Sequence, residues 1–485
     1  MDLKERNRSA SDPQASVWVT ANAGSGKTYL LVDRVIRLLL SGTKPARILC
    51  LTFTKAAASE MSRRLFERLS GWIAMPEDDL RKAVGEMAGE GHFDDAAARR
   101  LFAQALETPG GLKIQTIHAF CERLLQRFPL EAGVVPGFSV LDDQGSDELL
   151  NAARAAVLDE AASGSDAELA QALEIVVSRA GADAFDELLN ELLAKKKEVA
   201  AMAPGHPLFL RLSDALELAE DEDETGIRKD WHAARDASRW RDLAVALLAS
   251  GVSDQEQGAR AEIIARTSHA DEAFAAATDF FLTGKGEPRQ KLMTKKLAES
   301  ALGQFAEEER QRFDDTEPRV HAAATRASTF ALLHLAQSIL GRFADEKRRL
   351  GLYGYDDLIE RARHLLGTAN GEWVLYKLDG GLDHVLIDEA QDTSPDQWSV
   401  IDRLTTEFFS GEGARTDVTR TIFVVGDEKQ SIYSFQGADP AKFADMKAHF
   451  SQTVAQAEKP FRAVPLGISF RSTSPVLQAV DHVWN

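Results

Sequence analysis

The sequence has few residues of the kinds that cross-link a chain or bury it in a membrane. Two cysteines, Cys50 and Cys121, occur in 485 residues, which is too few for a disulfide framework or a four-cysteine zinc or iron–sulfur site. No apolar run reaches the ~18 residues that a membrane span needs. Residues 1–10 are charged and lack the apolar core of a signal peptide. We therefore expect a globular, cytoplasmic protein.

Charge of one sign is in excess. The chain has 57 Lys and Arg against 76 Asp and Glu, a net charge of −19. Averaged over the whole chain, this excess of acid argues against a polyanionic partner. The charges are unevenly placed, however, because residues 1–70 hold 12 basic and only 6 acidic side chains. The net charge therefore does not exclude a nucleic acid bound to the N-terminal part.

Two regions of the sequence alternate short apolar runs with amphipathic helical patterns, from residue 15 to 129 and again from residue 355 onward. This alternation is typical of a parallel sheet with crossover helices, the α/β class. The predicted strands are residues 17–20, 48–53, 114–117, 385–387 and 421–425.

The region between these two has a different pattern. Ala, Leu, Glu and Arg recur at helical spacing, as in residues 148–158 and 324–343. We therefore predict an α/β domain in two segments, 1–140 and 351–474, that carries a large all-α inserted domain at 141–350. Residues 475–485 are expected to begin a further domain. Within the helical region, five consecutive acids at 220–224 predict a solvated loop.

The strongest chemical motif directly follows the first predicted strand and precedes an apolar helical pattern at 29–40. It fits the phosphate-binding loop with alanine in place of the first glycine. Glycines let backbone N–H groups surround phosphate oxygens, and the helix N-terminus adds positive potential. Lys27 is predicted to reach the terminal phosphates and Thr28 to ligate Mg²⁺. A glycine-rich turn without a ligand is the alternative. The loop residues are Ala21, Asn22, Ala23, Gly24, Ser25, Gly26, Lys27 and Thr28.

A nucleotide loop predicts a second element, a strand that ends in an acidic residue near the Mg²⁺. The predicted strand 385–387 is followed by Asp388 and Glu389. Two adjacent carboxylates would be costly to bury without a cation, which Mg²⁺·ATP supplies. We predict Asp388 as the acid on the metal side and Glu389 as the general base for the attacking water. An acidic helix N-cap is the alternative.

Six motifs, in their order along the chain, resemble those of superfamily 1 DNA helicases of the UvrD/Rep/RecB type. They are ANAGSGKT at 21–28, LTFTKAAASEM at 51–61, IQTIHAFC at 114–121, LIDEAQD at 386–392, VVGDEKQSIYSFQGA at 424–438 and SFRST at 469–473. Within this family the phosphate loop and residues 355–359 are most similar to helicase-nucleases of the AddA type. A stand-alone UvrD/Rep-like helicase is the alternative.

The resemblance implies a RecA-like domain with ATP and Mg²⁺ as cofactors. It further implies an ATP-dependent helicase that unwinds DNA 3′ to 5′ at double-strand breaks for recombinational repair, with a nuclease in the whole protein and an AddB-like partner in a heterodimer. Single-stranded and duplex DNA would both be bound. The inserted domain of relatives meets duplex DNA, so Lys291, Lys295 and Lys296 are candidate phosphate contacts; solvated faces are the alternative.

Individual roles follow from the same resemblance. Gln430 matches the glutamine that senses the γ-phosphate, and Arg471 matches an arginine that contacts it during phosphoryl transfer. Phe470 stands where relatives place a ring against adenine. Without the family, Arg471 would be a surface arginine, His118 a packing histidine and Phe53 a core residue. The positions that match DNA contacts are Phe53, Thr54, Thr116, His118, Tyr433 and Phe435.

The sequence ends shortly after its sixth motif, before the second RecA-like domain of the family. A motor of this class is expected to translocate by closing a cleft between two such domains. We therefore expect the isolated chain to be weakly active or inactive. A non-motor, regulatory DNA- or ATP-binding module is the alternative, but the intact Lys27, Asp388 and Glu389 favour an enzyme.

Overall fold

The structure is a computed structural model that describes residues 3–22, 24–88, 95–109, 111–368, 371–377, 381–410, 418–430 and 439–467, with 470, 475 and 482. The chain divides into two compact units. Met1–Asp143 and Lys347–Asn485 form one unit, and Gln144–Glu346 forms the other. Among the described residues, no helix combines the length and the apolar character needed to cross a bilayer.

Eight strands are present in the described residues, and all of their pairings are parallel. Six form one sheet in the order β3-β2-β6-β7-β1-β8, and β4 pairs with β5. Their bounds are β1 Ser16–Ala21, β2 Ile48–Thr52, β3 Lys113–Thr116, β4 Ser139–Val140, β5 Leu352–Tyr353, β6 His384–Ile387, β7 Thr421–Gly426 and β8 Phe461–Leu466.

Helices connect and flank these strands. The first ten are α1 Leu3–Ala10, α2 Lys27–Leu40, α3 Lys55–Ala74, α4 Glu77–Ala88, α5 Asp95–Leu106, α6 Ile117–Arg127, α7 Asp143–Ser163, α8 Ala167–Ala194, α9 Lys196–Ala201 and α10 His206–Ala215. The others are α11 Glu224–Ala233, α12 Ala237–Leu248, α13 Val252–Arg266, α14 Ala270–Phe281, α15 Lys295–Ala298, α16 Ala301–Leu350, α17 Tyr355–Gly367, α18 Gly371–Lys377, α19 Pro395–Phe409 and α20 Pro440–Gln456.

The predicted parallel α/β sheet is confirmed, with small differences at the strand ends. Strand β2 stops at Thr52, so Phe53 lies beyond it, and Ile117 is the first residue of α6 rather than the last of β3. Strand β8 was not predicted. Its sequence contains a proline and its burial is irregular, because it lies at the edge of the sheet where one side has no neighbouring strand.

The sheet of the first unit is covered on both faces because side chains alternate along each strand. On β1, Trp18 points into a cluster with residues of α6, α17, α19 and α20. Val17 and Val19 point into the opposite cluster, with residues of α2, α3, α4 and α5. The ring of Trp18 lies 5.9 Å from that of Trp398, measured between centroids. Both faces of β1 are therefore buried, which fixes the loop that follows it.

The second unit consists of helices around two apolar clusters, one containing Trp240 and Phe313 and the other Leu189 and Phe343. The acidic stretch 220–224 precedes and begins α11.

The prediction of a solvated loop at 220–224 is only partly correct. Arg326 is 3% exposed and donates to the carbonyls of Ala219 and Glu222. The carboxylate of Glu222 pairs with Arg319, and Asp223 accepts a hydrogen bond from the N–H of Gly226, at the start of α11. This segment is therefore held against α16 by arginines.

Candidate nucleotide site at the carboxyl edge of the sheet

The loop after β1 has the backbone shape that a phosphate-binding loop requires. Gly24 and Gly26 have φ angles of 74° and 85°, which only glycine adopts readily. The N–H of Asn22 donates to the carbonyl of Leu466 on β8 at 3.3 Å, and the N–H of Ser25 donates back to Asn22 at 3.2 Å. The buried Ala21 ends β1, and Ala23 lies outside the described residues. The loop thus turns tightly between β1 and α2.

The N-terminus of α2 faces this loop. Gly26 is the N-cap, and no side chain caps the first turn. The first N–H groups of a helix lack intrahelical partners and carry partial positive charge. The hydroxyl of Ser25 is also buried, with no hydrogen-bond partner among the described residues. Thr28, partly buried, lies in the first turn. Donors are therefore available here for an anion.

Lys27 and Glu389 form an ion pair across the carboxyl edge. The Lys27 Nζ lies 2.5 Å from the Glu389 Oε2, and the side chains are 10% and 34% exposed. Asp388 follows β6 directly, and its N–H donates to the carbonyl of Leu51 at 2.9 Å. The loop after β1 and the residues after β6 therefore meet at one edge, as the motif spacing predicts.

The two adjacent acids share one lysine, so the local charge is not balanced. Burial raises the pKa of Asp388 to about 7; the neighbouring carboxylate of Glu389 raises it further and Lys27 lowers it. A divalent cation would compensate this buried carboxylate. Mg²⁺ takes one or two carboxylates together with phosphates and waters, so the Asp388 carboxylate and the Thr28 hydroxyl fit as its protein ligands.

A third polar residue of the same motif, Gln391, was missed by the sequence analysis. Its side chain is 2% exposed. The Nε2 donates to Glu389 Oε2 at 2.9 Å and to Asp392 Oδ2 at 3.0 Å, and Oε1 accepts from the N–H of Asp427 at 2.9 Å. An amide between acids after a buried strand was a signal that could have identified it.

Gln430 lies in the turn after β7. Its N–H donates to the carbonyl of Asp427 at 2.9 Å, and its side-chain amide donates to the Asp427 carboxylate. Asp427 is 4% exposed and was also missed. Since β7 lies between β6 and β1, this turn is at the same edge as Lys27 and Glu389.

The ring predicted to contact the adenine lies beside the phosphate loop. The N–H of Phe470 donates to the carbonyl of Gly24 at 2.8 Å. Its ring approaches to 3.9 Å the position that a Cβ on Gly26 would take, and the residue is 63% exposed. An exposed ring at this place is accessible to a planar base. Three further predicted residues, Arg471, Tyr433 and Phe435, lie outside the described residues.

Four residues predicted to contact DNA lie at the ends of β2 and β3. The hydroxyls of Thr54 and Thr116 cap α3 and α6, accepting from Ala57 N–H at 3.0 Å and Ala119 N–H at 3.2 Å. The ring of His118 packs against Tyr355, and burial lowers its pKa. Phe53 is partly buried. The pairing of Thr52 with Thr116 brings all four to one edge.

Comparison with known proteins now identifies the family. The model of the UvrD/REP helicase N-terminal domain matches residues 2–451. The chain belongs to this family. The resemblance inferred from the six motifs is therefore confirmed, and the chain is the ATP-binding motor part of a UvrD-type DNA helicase.

Curated relatives of this UvrD-type domain are named as the AddA component of an ATP-dependent helicase/nuclease. Those of Lactobacillus helveticus and Enterococcus faecalis are each 25% identical, over 522 and 508 residues, and that of Bacillus pumilus is 26% identical over 504. The alignments cover 96–99% of this chain and 37–40% of the relatives. The chain thus spans about two fifths of the length of the curated relatives it matches.

Proposed function

We propose that the carboxyl edge formed by β1, β6 and β7 is the ATP·Mg²⁺ site of a RecA-like motor domain. The observation that carries this proposal is the ion pair between Lys27 and Glu389 beside the buried Asp388. The roles are Ala21 to Thr28 around the phosphates, Thr28 and Asp388 on Mg²⁺, Glu389 as general base, Gln430 and Arg471 on the γ-phosphate, and Phe470 on adenine.

Lys27 has two possible anionic partners in this site, Glu389 and the phosphates of ATP. When the phosphates bind in the loop, they draw the ammonium of Lys27 toward themselves. The carboxylate of Glu389 then loses its cationic partner and can accept a proton from the attacking water. Bound Mg²⁺ supplies positive charge to the phosphates and to Asp388. Nucleotide binding and the preparation of the base are thus one event.

For the whole protein we propose an AddA-like helicase-nuclease. It would unwind DNA 3′ to 5′ at double-strand breaks for recombinational repair, in the cytoplasm and with an AddB-like partner. The names of the relatives support a combined helicase and nuclease. Residues 1–140 and 351–474 would be the RecA-like domain, 141–350 the inserted helical domain and 475–485 the start of a second motor domain.

We propose that single-stranded DNA runs along the ends of β2 and β3. Phe53, Thr54, Thr116 and His118 share that edge, and the rings of Tyr433 and Phe435 would stack on bases, which needs no particular DNA sequence. For duplex DNA we propose Lys291, Lys295 and Lys296 as phosphate contacts; all three are exposed.

Unwinding assays on the full-length protein test this proposal. Duplexes with a 3′ or a 5′ single-stranded tail are compared in the presence of ATP and Mg²⁺. We expect unwinding of the 3′-tailed duplex and its loss in Lys27→Ala, whereas Lys44→Ala, an exposed lysine beyond the far end of α2, unwinds like the wild type. Preferential unwinding of the 5′-tailed duplex would overturn the polarity. ATP-independent activity in Lys27→Ala would overturn the motor assignment.

A further inference from the structure

We infer that Gln391 is a positioning residue for ATP hydrolysis, which fixes the carboxylate of Glu389 and ties it to the turn that carries Gln430. The inference rests on the proposed roles of Glu389 and Gln430. Gln391 itself is 2% exposed, so it acts through its neighbours rather than by touching nucleotide.

The hydrogen bonds of Gln391 require an amide. Its oxygen accepts from the backbone N–H of Asp427, so the nitrogen faces the carboxylates of Glu389 and Asp392. Both N–H donors of the amide are thereby used. A carboxylate of the same shape could accept from Asp427 but could not donate to two acids, and an apolar side chain could do neither. The amide group is thus the only side-chain chemistry that satisfies both strand ends.

The amide is also held in place by packing. A Cβ on Gly426, the last residue of β7, would lie 2.8 Å from the Gln391 Oε1 and 2.7 Å from the ring of Phe443. Distances below 3.0 Å to a side chain in a close-packed interior require a displacement. Glycine at 426 therefore lets the amide of Gln391 lie directly against β7.

The bridge joins two predicted parts of the catalytic site. On one side, the Glu389 Oε2 accepts from both Lys27 and Gln391. On the other side, Asp427 accepts from Gln430 through its carbonyl and its carboxylate. When phosphates draw Lys27 away, Gln391 continues to hold Oε2 and leaves the second oxygen of Glu389 for the water. Loss of Gln391 should therefore slow the chemical step rather than weaken ATP binding.

Steady-state hydrolysis of ATP by the full-length protein with single-stranded DNA tests this inference. We expect Gln391→Ala to lower kcat by about 10- to 100-fold, as for other residues that orient a catalytic group, with KM for ATP within about threefold. Gln391→Glu, which keeps the shape but cannot donate, should lose a similar amount. Gln257→Ala is the matched control, because Gln257 is also a buried glutamine, bonded to the carbonyl of Phe280 in the second unit; it should keep the wild-type kcat.

A double-mutant cycle separates positioning from a merely structural role. If Gln391 acts through Glu389, adding Gln391→Ala to Glu389→Gln should cause little further loss of kcat. Losses that multiply, or Gln391→Ala and Gln391→Glu variants with wild-type kcat, would overturn the inference while leaving the proposed function intact. A wild-type protein that neither binds nor hydrolyses ATP would overturn the proposed function and this inference with it.

Discussion

Strand β6 is flanked by a buried aspartate at each end, and the surroundings of the two carboxylates differ. Asp383, before the strand, is 2% exposed and Asp388, after it, is 7% exposed. Asp383 lies 2.9 Å from the guanidinium of Arg47 and 3.9 Å from that of Arg420. Asp388 has a second acid next to it, and its pKa is raised to about 7.

The same contrast extends to the neighbouring residues. At the amino end of the sheet, the buried Arg34 donates to the carbonyl of Ala15 and the hydroxyl of Thr421, and His384 also bonds that hydroxyl. These polar groups are satisfied within the protein. At the carboxyl end, Lys27 is shared between possible partners and Asp388 lacks a full counter-charge. Incomplete compensation of buried charge thus distinguishes the ligand-binding end from the structural end.

The largest expected effect is on catalysis at the carboxyl end. Glu389→Gln removes the proposed general base but keeps the size of the side chain. We expect kcat for DNA-stimulated ATP hydrolysis in the full-length protein to fall by about 10²- to 10⁴-fold, the range for loss of a general base.

The matched control for this variant is Glu428→Gln, which changes an exposed acid at the same edge. It should hydrolyse ATP at the wild-type rate. Equal rates for Glu389→Gln and the wild type would show that another group activates the water.

The aspartate at the amino end should contribute to stability. Asp383→Asn would leave the guanidinium groups of Arg47 and Arg420 without a carboxylate, and we expect the free energy of unfolding to fall by about 1–3 kcal/mol. Urea denaturation without nucleotide measures this change. An Asp383→Asn protein as stable as the wild type would mean that these ion pairs add nothing to the fold.

The aspartate at the carboxyl end should have the opposite effect. Because burial and Glu389 disfavour the charged form of Asp388, Asp388→Asn should raise the free energy of unfolding without nucleotide by about 1–2 kcal/mol at pH 8, since one pKa unit corresponds to about 1.4 kcal/mol. The same urea denaturation measures this gain. A loss of stability in this variant would show that the carboxylate is already compensated within the protein.

A smaller effect is expected from His384 at the amino end. Burial and then the charge of Arg34 lower its pKa from 6.5 to about 3. Between these values the unfolded chain binds a proton that the folded chain does not, so stability is lost as the pH falls from 6.5. The histidine would contribute a slope of up to about 1.4 kcal/mol per pH unit.

Replacing His384 by Gln should flatten the pH dependence of the unfolding free energy between pH 6.5 and pH 4. Replacing the exposed His364 by Gln should leave it unchanged. A His384→Gln protein with the wild-type pH profile would refute the assignment of this slope to His384.

Local patterns were sufficient to predict the parallel sheet, the phosphate loop and the family. They failed where a contact joins residues far apart in sequence. Gln391 and Asp427 are separated by 36 residues and meet only because β6 pairs with β7. The ion pair of Arg47 with Asp383 likewise depends on the pairing of β2 with β6. The capping hydroxyls of Thr54 and Thr116, three residues before their N–H donors, were local signals that went unused.

The most direct test of the contrast between the two ends of β6 is the thermal unfolding of wild type and Asp388→Asn, with and without saturating Mg²⁺·ATP. A ligand that binds only the folded state raises the unfolding temperature in proportion to its affinity. The account predicts that Asp388→Asn unfolds at the higher temperature without ligand and at the lower temperature with it. The same order of the two proteins in both conditions would contradict the claim that Asp388 is kept for the bound cation.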